Sequence, residues 1–465
     1  MTIRWSWCAQ STCAQGAAHR RIVSRAGVSI SGSRWVAAVG SLLLIAPLFS
    51  CGGSPASSGS TPFSTTAPVQ PADPAPSTSP LDCQSSQCIS LPVVAQTSHK
   101  FQFWYEQWDP STTPRKLAWA DVVIGLNGIA PPVAVASAGT PQTLVYVTYY
   151  QDTYQDEGGV AQTFMKTAAD VPLLALERGG VVQTSDFTQG NPGWDVLCDN
   201  STELRNRVFA HLAAITKAGY GGLFVDNAAQ VPQACTSTSH QHLNPGQRSD
   251  DAYLTLLGDV QAQLKQLATA PLLIANAGDP TVADQTGTGS NMGAMWTIPD
   301  FVLWEGYGYY DSDDPDATGT SHDQIAATLQ KSLVYGADAS KAAKVLALSY
   351  PQTQQEALLS FAMARIFGFA WTANVGDEQT SGQWGLFAAS MPWSVGNPQG
   401  NLYLQGGLLA RRFTNGVIYA NTGATAVTVN IPQAGQLVTA ASQSSVSQGL
   451  SLSLDPHAAV VLLSQ

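Results

Sequence analysis

The sequence predicts a (β/α)8 barrel followed by a small all-β sandwich domain. Eight short, near-continuous apolar runs, separated by helical stretches over roughly 290 residues, are what parallel strands covered on both faces require. After about residue 400 the texture changes to short runs separated by turns, as in an antiparallel sandwich. The organisation expected is a signal segment at 1–50, a disordered Pro/Ser/Thr-rich tether at 51–98, the barrel at 99–400 and the sandwich at 401–465.

Trp35 to Phe49 is an apolar run of 15 behind Arg34. It is short for a bilayer-spanning helix of about 20 residues but has the length of a secretory core segment. Leu48-Phe49-Ser50-Cys51 resembles the bacterial lipobox, which implies lipidation at Cys51 and an exported, membrane-anchored form, with ordinary secretion as the alternative. The next thirty residues are rich in Ser, Thr, Pro and Ala and read as a tether. Export also allows oxidation, and the cysteines beyond Cys51 are Cys83, Cys88, Cys198 and Cys235. Spacing does not choose among their pairings; the expectation is a local Cys83–Cys88 bridge and a Cys198–Cys235 bridge flanking a strand.

The expected barrel strands are Phe101–Tyr105, Asp121–Leu126, Thr143–Tyr150, Gly221–Asn227, Pro271–Ala277, Phe301–Gly306, Lys344–Tyr350 and Gly368–Thr372. Amphipathic helices are expected at Glu203–Lys217, Asp250–Leu267 and His322–Val334. Pro172–Leu176 is a further strand-like run, read as part of an insertion. A doubly wound sheet is the rival fold, but no Gly-rich phosphate turn follows the first strand. In the tail, runs at Thr414–Thr422, Ala426–Ile431, Gln436–Ala440, Leu450–Leu454 and Ala458–Leu463 supply the sandwich.

The chain carries 21 Lys and Arg against 32 Asp and Glu, a net charge of −11. Five of the arginines precede residue 50, so the remainder stands at −16. Such a surface argues against a nucleic-acid partner, which needs basic groups to displace counterions. In a (β/α)8 barrel chemistry sits at the carboxyl ends of the strands, so the polar residues closing each run are the candidates. They include Glu106 and Asp109; Asn127; Tyr149, Tyr150 and Asp152; Asp226 and Asn227; Asn276 and Asp279; Glu305, Tyr307 and Tyr309; Tyr350 and Gln352; and Trp371, Asn374, Asp377 and Glu378. This is a cup of carboxylates, amides and aromatics almost without cations, which disfavours phosphate esters and other anionic substrates. It also lacks HExxH, GxSxG, GxGxxG and Walker sequences.

Asp226 and Glu305 are the expected catalytic carboxylates. Two such groups across a neutral aromatic cup suit acetal hydrolysis, one protonating the departing oxygen and the other attacking the anomeric carbon or activating water. Apolar surroundings, Trp304 among them, would suit Glu305 to the acid role. The expected substrate contacts are Trp104, Glu106, Asn127, Tyr149, Asn227, Asn276, Trp304, Tyr307, Tyr309 and Trp371, with Glu177, Asp279 and Glu378 as spare carboxylates. No cofactor or metal is expected: Asp311, Asp313, Asp314 and Asp316 lack EF-hand spacing, and His240 and His242 are too isolated for a zinc site.

GYGGLFVDN (219–227) and DFVLWEGYG (300–308) resemble the fourth- and sixth-strand segments of bacterial (β/α)8-barrel glycoside hydrolases, in the group of the endo-α-1,4-polygalactosaminidases. RRFTNGVIYANTG (411–423) and PHAAVVLL (456–463) resemble the β-sandwich appended to such barrels. The resemblance implies a glycosidase acting on an oligo- or polysaccharide, with Asp226 as nucleophile and Glu305 as acid/base. The alternative is a carbohydrate-binding surface lipoprotein on a decayed hydrolase barrel, which would need the aromatics but neither acid.

Overall fold

The structure, a computed structural model, describes residues 87–95, 97, 99–104, 117–125, 142–148, 151–152, 164, 166, 168–170, 174, 177–178, 181–182, 195–198, 201–226, 228, 249–283, 292–310, 321–374 and 386–464. The expected signal segment, Cys51 and residues 52–81 of the expected tether lie outside them. Among the described residues no helix is long and apolar enough to cross a membrane.

Eight parallel strands form one nearly closed barrel. They are β2 (Phe101–Trp104), β3 (Val122–Gly125), β4 (Gln142–Thr148), β9 (Gly222–Asp226), β10 (Leu272–Asn276), β11 (Phe301–Glu305), β12 (Val345–Ser349) and β13 (Ala370–Ala373). Neighbours pair in sequence order around the barrel, and the Thr372 hydroxyl donates to the Phe101 carbonyl across the closing edge at 2.9 Å. All eight expected strands are present. Between β4 and β9 lie the short antiparallel pairs β5 (Gln151–Asp152) with β8 (Asp195–Val196), and β6 (Glu177–Arg178) with β7 (Val181–Val182). Of the run read as a further strand there, Leu174 is described and is buried.

Alternation along each strand divides two cores. Phe101, Phe103, Leu144, Phe224, Ile274, Phe301, Leu303, Leu346, Leu348 and Ala370 fill the interior, with the Phe101 and Phe301 rings meeting edge-on at 5.2 Å. Leu223, Val225, Leu273, Ala275, Val302, Trp304, Val345, Ala347 and Trp371 face the surrounding helices.

Among the described residues the α-helices are α1 (Thr202–Lys217), α2 (Ser249–Leu267), α3 (Pro280–Ala283), α4 (Ile325–Gly336), α5 (Ala339–Ala342), α6 (Gln354–Phe367) and α7 (Leu386–Ser390). Helix α1 buries the expected stripe of Leu204, Val208, Leu212 and Ile215, and the Ser201 hydroxyl accepts from the Leu204 amide at its start. Helix α6 begins with the Thr353 side chain accepting from the Glu356 amide and ends at Gly368, whose φ of 89° suits glycine. Every residue of α6 from Ala357 to Phe367 is buried.

The reason is the tail. A seven-stranded sheet runs in the order β1 (Cys88–Ile89), β14 (Pro398–Gln405), β15 (Leu408–Phe413), β16 (Gly416–Asn421), β21 (Ala458–Ser464), β18 (Gly435–Val438) and β19 (Gln443–Val446). Leu409, Phe413, Ile418, Ala420, Ala459 and Val461 from one of its faces join the barrel's outer core over α6. Leu408, Ala410, Val417, Tyr419, Val460 and Leu462 from the other pack against the antiparallel pair of β17 (Val427–Asn430) and β20 (Ser451–Leu454), completing the β-rich domain. The end of the expected tether is therefore folded: Cys88 and Ile89 pair with Tyr403 and Leu402, and Leu91 and Val94 are buried.

Arg411 stitches these parts together. It is 1% exposed and donates to the carbonyls of Ile366 at the end of α6, Pro92 before the barrel and Gly400 in β14. Burial lowers its pKa to about 10, so the guanidinium stays charged at neutral pH.

The larger of the two expected disulfides is corrected. Cys198 carries a thiol that is not in a disulfide, so the Cys198–Cys235 bridge is not formed. Its backbone N–H donates to the Leu174 carbonyl and its own carbonyl accepts from Ser201, which seats the side chain in the core ahead of α1 as a small apolar group. Cys83 and Cys235 lie outside the described residues.

Candidate active site

β9, β10 and β11 are adjacent and in parallel register, and each ends on a polar residue of interior parity: Asp226, Asn276 and Glu305. Asp226 follows Phe224, Asn276 follows Ile274, and Glu305 follows Leu303, so all three rise from the filled barrel at its carboxyl end. Asp226 is 0% exposed and Asn276 is buried, whereas Glu305 is partly open.

Asn276 ties the carboxylates together. Its Oδ1 accepts from the Gly278 amide at 2.8 Å, in a turn where Gly278 has a φ of 64°. That bond orients the side-chain amide, and Nδ2 then donates to Asp226 Oδ1 at 2.8 Å and to Glu305 Oε2 at 3.3 Å. The second oxygen, Glu305 Oε1, accepts from the Tyr350 hydroxyl at 3.0 Å. Tyr350 lies one residue past β12 with interior parity, its backbone N–H donating to the Tyr309 carbonyl. The chain turns sharply after Glu305: Gly306 has a φ of 70°, and a Cβ there would stand 2.3 Å from the Tyr310 ring.

Tyr310 and His322, on either side of residues 311–320, are tied to each other and to α6. His322 Nδ1 meets the Tyr310 carbonyl at 2.6 Å and Nε2 meets Glu356 Oε2 at 3.2 Å. Burial of Glu356 acts to raise its pKa, but the hydrogen bonds from His322 and the Gln352 amide outweigh it and hold the carboxyl below its usual range.

Of the expected site residues, the structure brings Asp226, Asn276 and Glu305 together. Four aromatics lie elsewhere. Trp304, Tyr307, Tyr309 and Trp371 belong to the core outside the barrel, between strands and helices. Trp304 meets Tyr307 edge-on at 4.9 Å, the Tyr307 hydroxyl pairs with Ser332 at 3.1 Å, Tyr309 lies against His322, and Trp371 Nε1 donates to Ser360 Oγ at 3.2 Å. Burial pushes both tyrosine hydroxyls well above their ordinary pKa. The reason is the two-residue alternation: Trp304 precedes Glu305 and so faces away from it, and Trp371 sits between interior positions 370 and 372. These rings pack the fold, and Trp304 does not line Glu305.

Glu106, Asn127, Tyr149 and Asn227 lie outside the described residues, as do the side chain of Trp104, Glu378, the loop acids from Asp311 to Asp316, and His240 and His242. Asp279 is ion-paired with Lys331 and caps the Thr281 amide. Among the described residues no cluster of three or more metal-binding side chains occurs. Tyr350 was visible as a strand-end residue, but its bond to Glu305 is a contact between β11 and β12 that no local pattern encodes.

No known protein family matches the chain, and no curated protein does. Among solved structures, an alpha-amylase from H. orenii is 11% identical, covering 79% of this chain and 100% of its own, with a TM-score of 0.48. The alpha-amylase from Geobacillus thermoleovorans, complexed with acarbose, is 10% identical, covering 78% of this chain and 97% of its own, with a TM-score of 0.46. The glycoside hydrolase domain of PelA from Pseudomonas aeruginosa is 17% identical, covering 59% of this chain and 93% of its own, with a TM-score of 0.36. The chain has a TIM-barrel-like fold with a C-terminal β-rich domain, resembling several glycoside-hydrolase folds at low identity.

Proposed function

We propose that this protein is a glycoside hydrolase that cleaves a neutral glycosidic bond with Asp226 and Glu305. The observation that carries the reading is the single Asn276 amide donating to both carboxylates. Both oxygens lie within hydrogen-bond reach of one nitrogen, at 2.8 and 3.3 Å, so they stand no more than about 6 Å apart, nearer the spacing of a retaining pair than that of an inverting one. Glu305 protonates the departing oxygen while Asp226 attacks the anomeric carbon to form a glycosyl ester. Glu305 then takes a proton from water, which displaces Asp226 with a second inversion. The assignment follows exposure: the acid/base must recover its proton from solvent, and Glu305 is the more open of the two. Asp226 is sealed in the resting protein, so substrate must displace whatever covers it.

The test is a broad panel of aryl glycosides and neutral oligosaccharides, with the anomer of the first product followed by NMR. Wild type should turn over at least one substrate with retention. Asp226→Asn and Glu305→Gln should each lose about a hundredfold or more in kcat while keeping the fold. Undiminished turnover in both variants rejects the pair, inversion rejects the covalent route, and binding without turnover in the wild type favours a carbohydrate-binding protein.

A further inference from the structure

Asn374 follows β13 directly. Its backbone N–H donates to the Ser349 carbonyl at 2.8 Å, which carries the parallel ladder one residue past the strand. Ala370 faces the barrel interior and Trp371 and Ala373 face the helices, so Thr372 and Asn374 have interior parity. The Thr372 hydroxyl is engaged at the barrel seam. Asn374 differs: it is 0% exposed, yet neither Oδ1 nor Nδ2 has a hydrogen-bond partner. A buried amide left in that state pays the desolvation of both a donor and an acceptor, and such groups call for an explanation in what the site binds. Its position supplies one. Ser349 pairs with Ala373 in the β12–β13 register, so Asn374 comes alongside Tyr350, whose hydroxyl holds Glu305. Asn276 and Tyr350 are both engaged with the carboxylates, leaving Asn374 as a cup amide with its hydrogen-bonding capacity unspent.

We infer that Asn374 is a specificity-determining residue that grips two adjacent hydroxyls of the sugar ring seated beside Glu305. This rests on the glycosidase reading above. A primary amide presents an acceptor and a donor side by side in one plane. A vicinal diol presents the matching pair, one O–H to donate to Oδ1 and one oxygen to accept from Nδ2. Anionic sugars are excluded by the neighbouring carboxylates, and a ring lacking one of the two hydroxyls leaves one side of the amide unpaired.

The experiment compares p-nitrophenyl glycosides with their monodeoxy analogues on wild type, Asn374→Ala and Asn374→Leu. The leucine is close to asparagine in size and opens no cavity, and melting temperatures verify folding. For the preferred glycoside, kcat/KM should fall at least tenfold in both variants. The analogue missing a gripped hydroxyl should be handled tenfold worse by wild type but within about threefold by the variants and wild type alike. Equal losses on parent and deoxy substrates, or no loss, overturn the assignment. If wild type hydrolyses none of the panel, the hydrolase reading fails separately, and binding of the same glycosides is read by saturation-transfer NMR. Binding that is lost in Asn374→Leu sustains the site, whereas no binding, or binding indifferent to residue 374, overturns it.

Discussion

His211 makes the stability of the protein depend on pH in a window that a single substitution should erase. The ring lies on α1, edge-on to Phe164 at 5.8 Å, and its Nδ1 is buried without a hydrogen-bond partner. Burial, with a smaller contribution from the charge of Lys166, lowers its pKa from 6.5 to about 4. The folded protein therefore holds His211 neutral at pH 5, while the unfolded chain has taken up the proton. Stability is fully present above pH 6.5 and is lost as pH falls from there toward 4. Linkage puts the loss at about 2 kcal/mol between pH 7.5 and 5. In His211→Gln no proton is taken up in either state, so that part of the decline disappears while every other titrating group is retained. Urea unfolding followed by tryptophan fluorescence at pH 7.5, 6 and 5, on wild type and variant together, measures the difference directly. A wild type that loses stability no faster than His211→Gln over this range would show that the ring is not kept neutral by burial, and the reasoning fails.

Two further substitutions probe the site and its scaffold. Tyr350→Phe keeps the ring but removes the donor to Glu305 Oε1; a hydrogen bond to a charged group is worth about 10- to 100-fold, so kcat/KM should fall by that order with little change in melting temperature, and unchanged kinetics would detach Tyr350 from the chemistry. Arg411→Met strands the carbonyls of Ile366, Pro92 and Gly400 and should destabilise the protein by about 3 kcal/mol or more in denaturant titration, with Arg411→Lys failing to restore the three-way contact; a loss below about 1 kcal/mol would mean those carbonyls find other partners.

The barrel was legible because parallel strands buried on both faces are written as unbroken apolar runs, and the polar residue closing each run marks the mouth. Asp226, Asn276 and Glu305 were found that way. The same unbroken apolarity hid which face each ring occupies. Counting back by twos from Glu305 would have turned Trp304 outward, and counting from Asn374 would have done the same for Trp371. Helix α6 was missed for a related reason: from Ala357 on, ALLSFAMARIF is buried all round between barrel and sheet, so it shows no polar face to reveal a helical period. β15 was obscured by Arg411, which reads as a surface residue until its carbonyl partners are seen. Cys198 and Cys235 were paired on their positions in the chain, whereas Cys198 is held by backbone bonds to Leu174 and Ser201.

The shared burial of α6 has a consequence for how the chain can be divided. A fragment ending near residue 397 would keep every barrel strand and both carboxylates, and on paper looks like a minimal enzyme. It would also strip the sheet from one side of α6, a helix buried from Ala357 to Phe367, and remove the arginine that binds the Ile366 carbonyl. Exposed apolar surface of that kind invites self-association. Barrel and tail thus share one core, and the tail cannot be shed, exchanged or fused elsewhere without uncovering the helix beneath it.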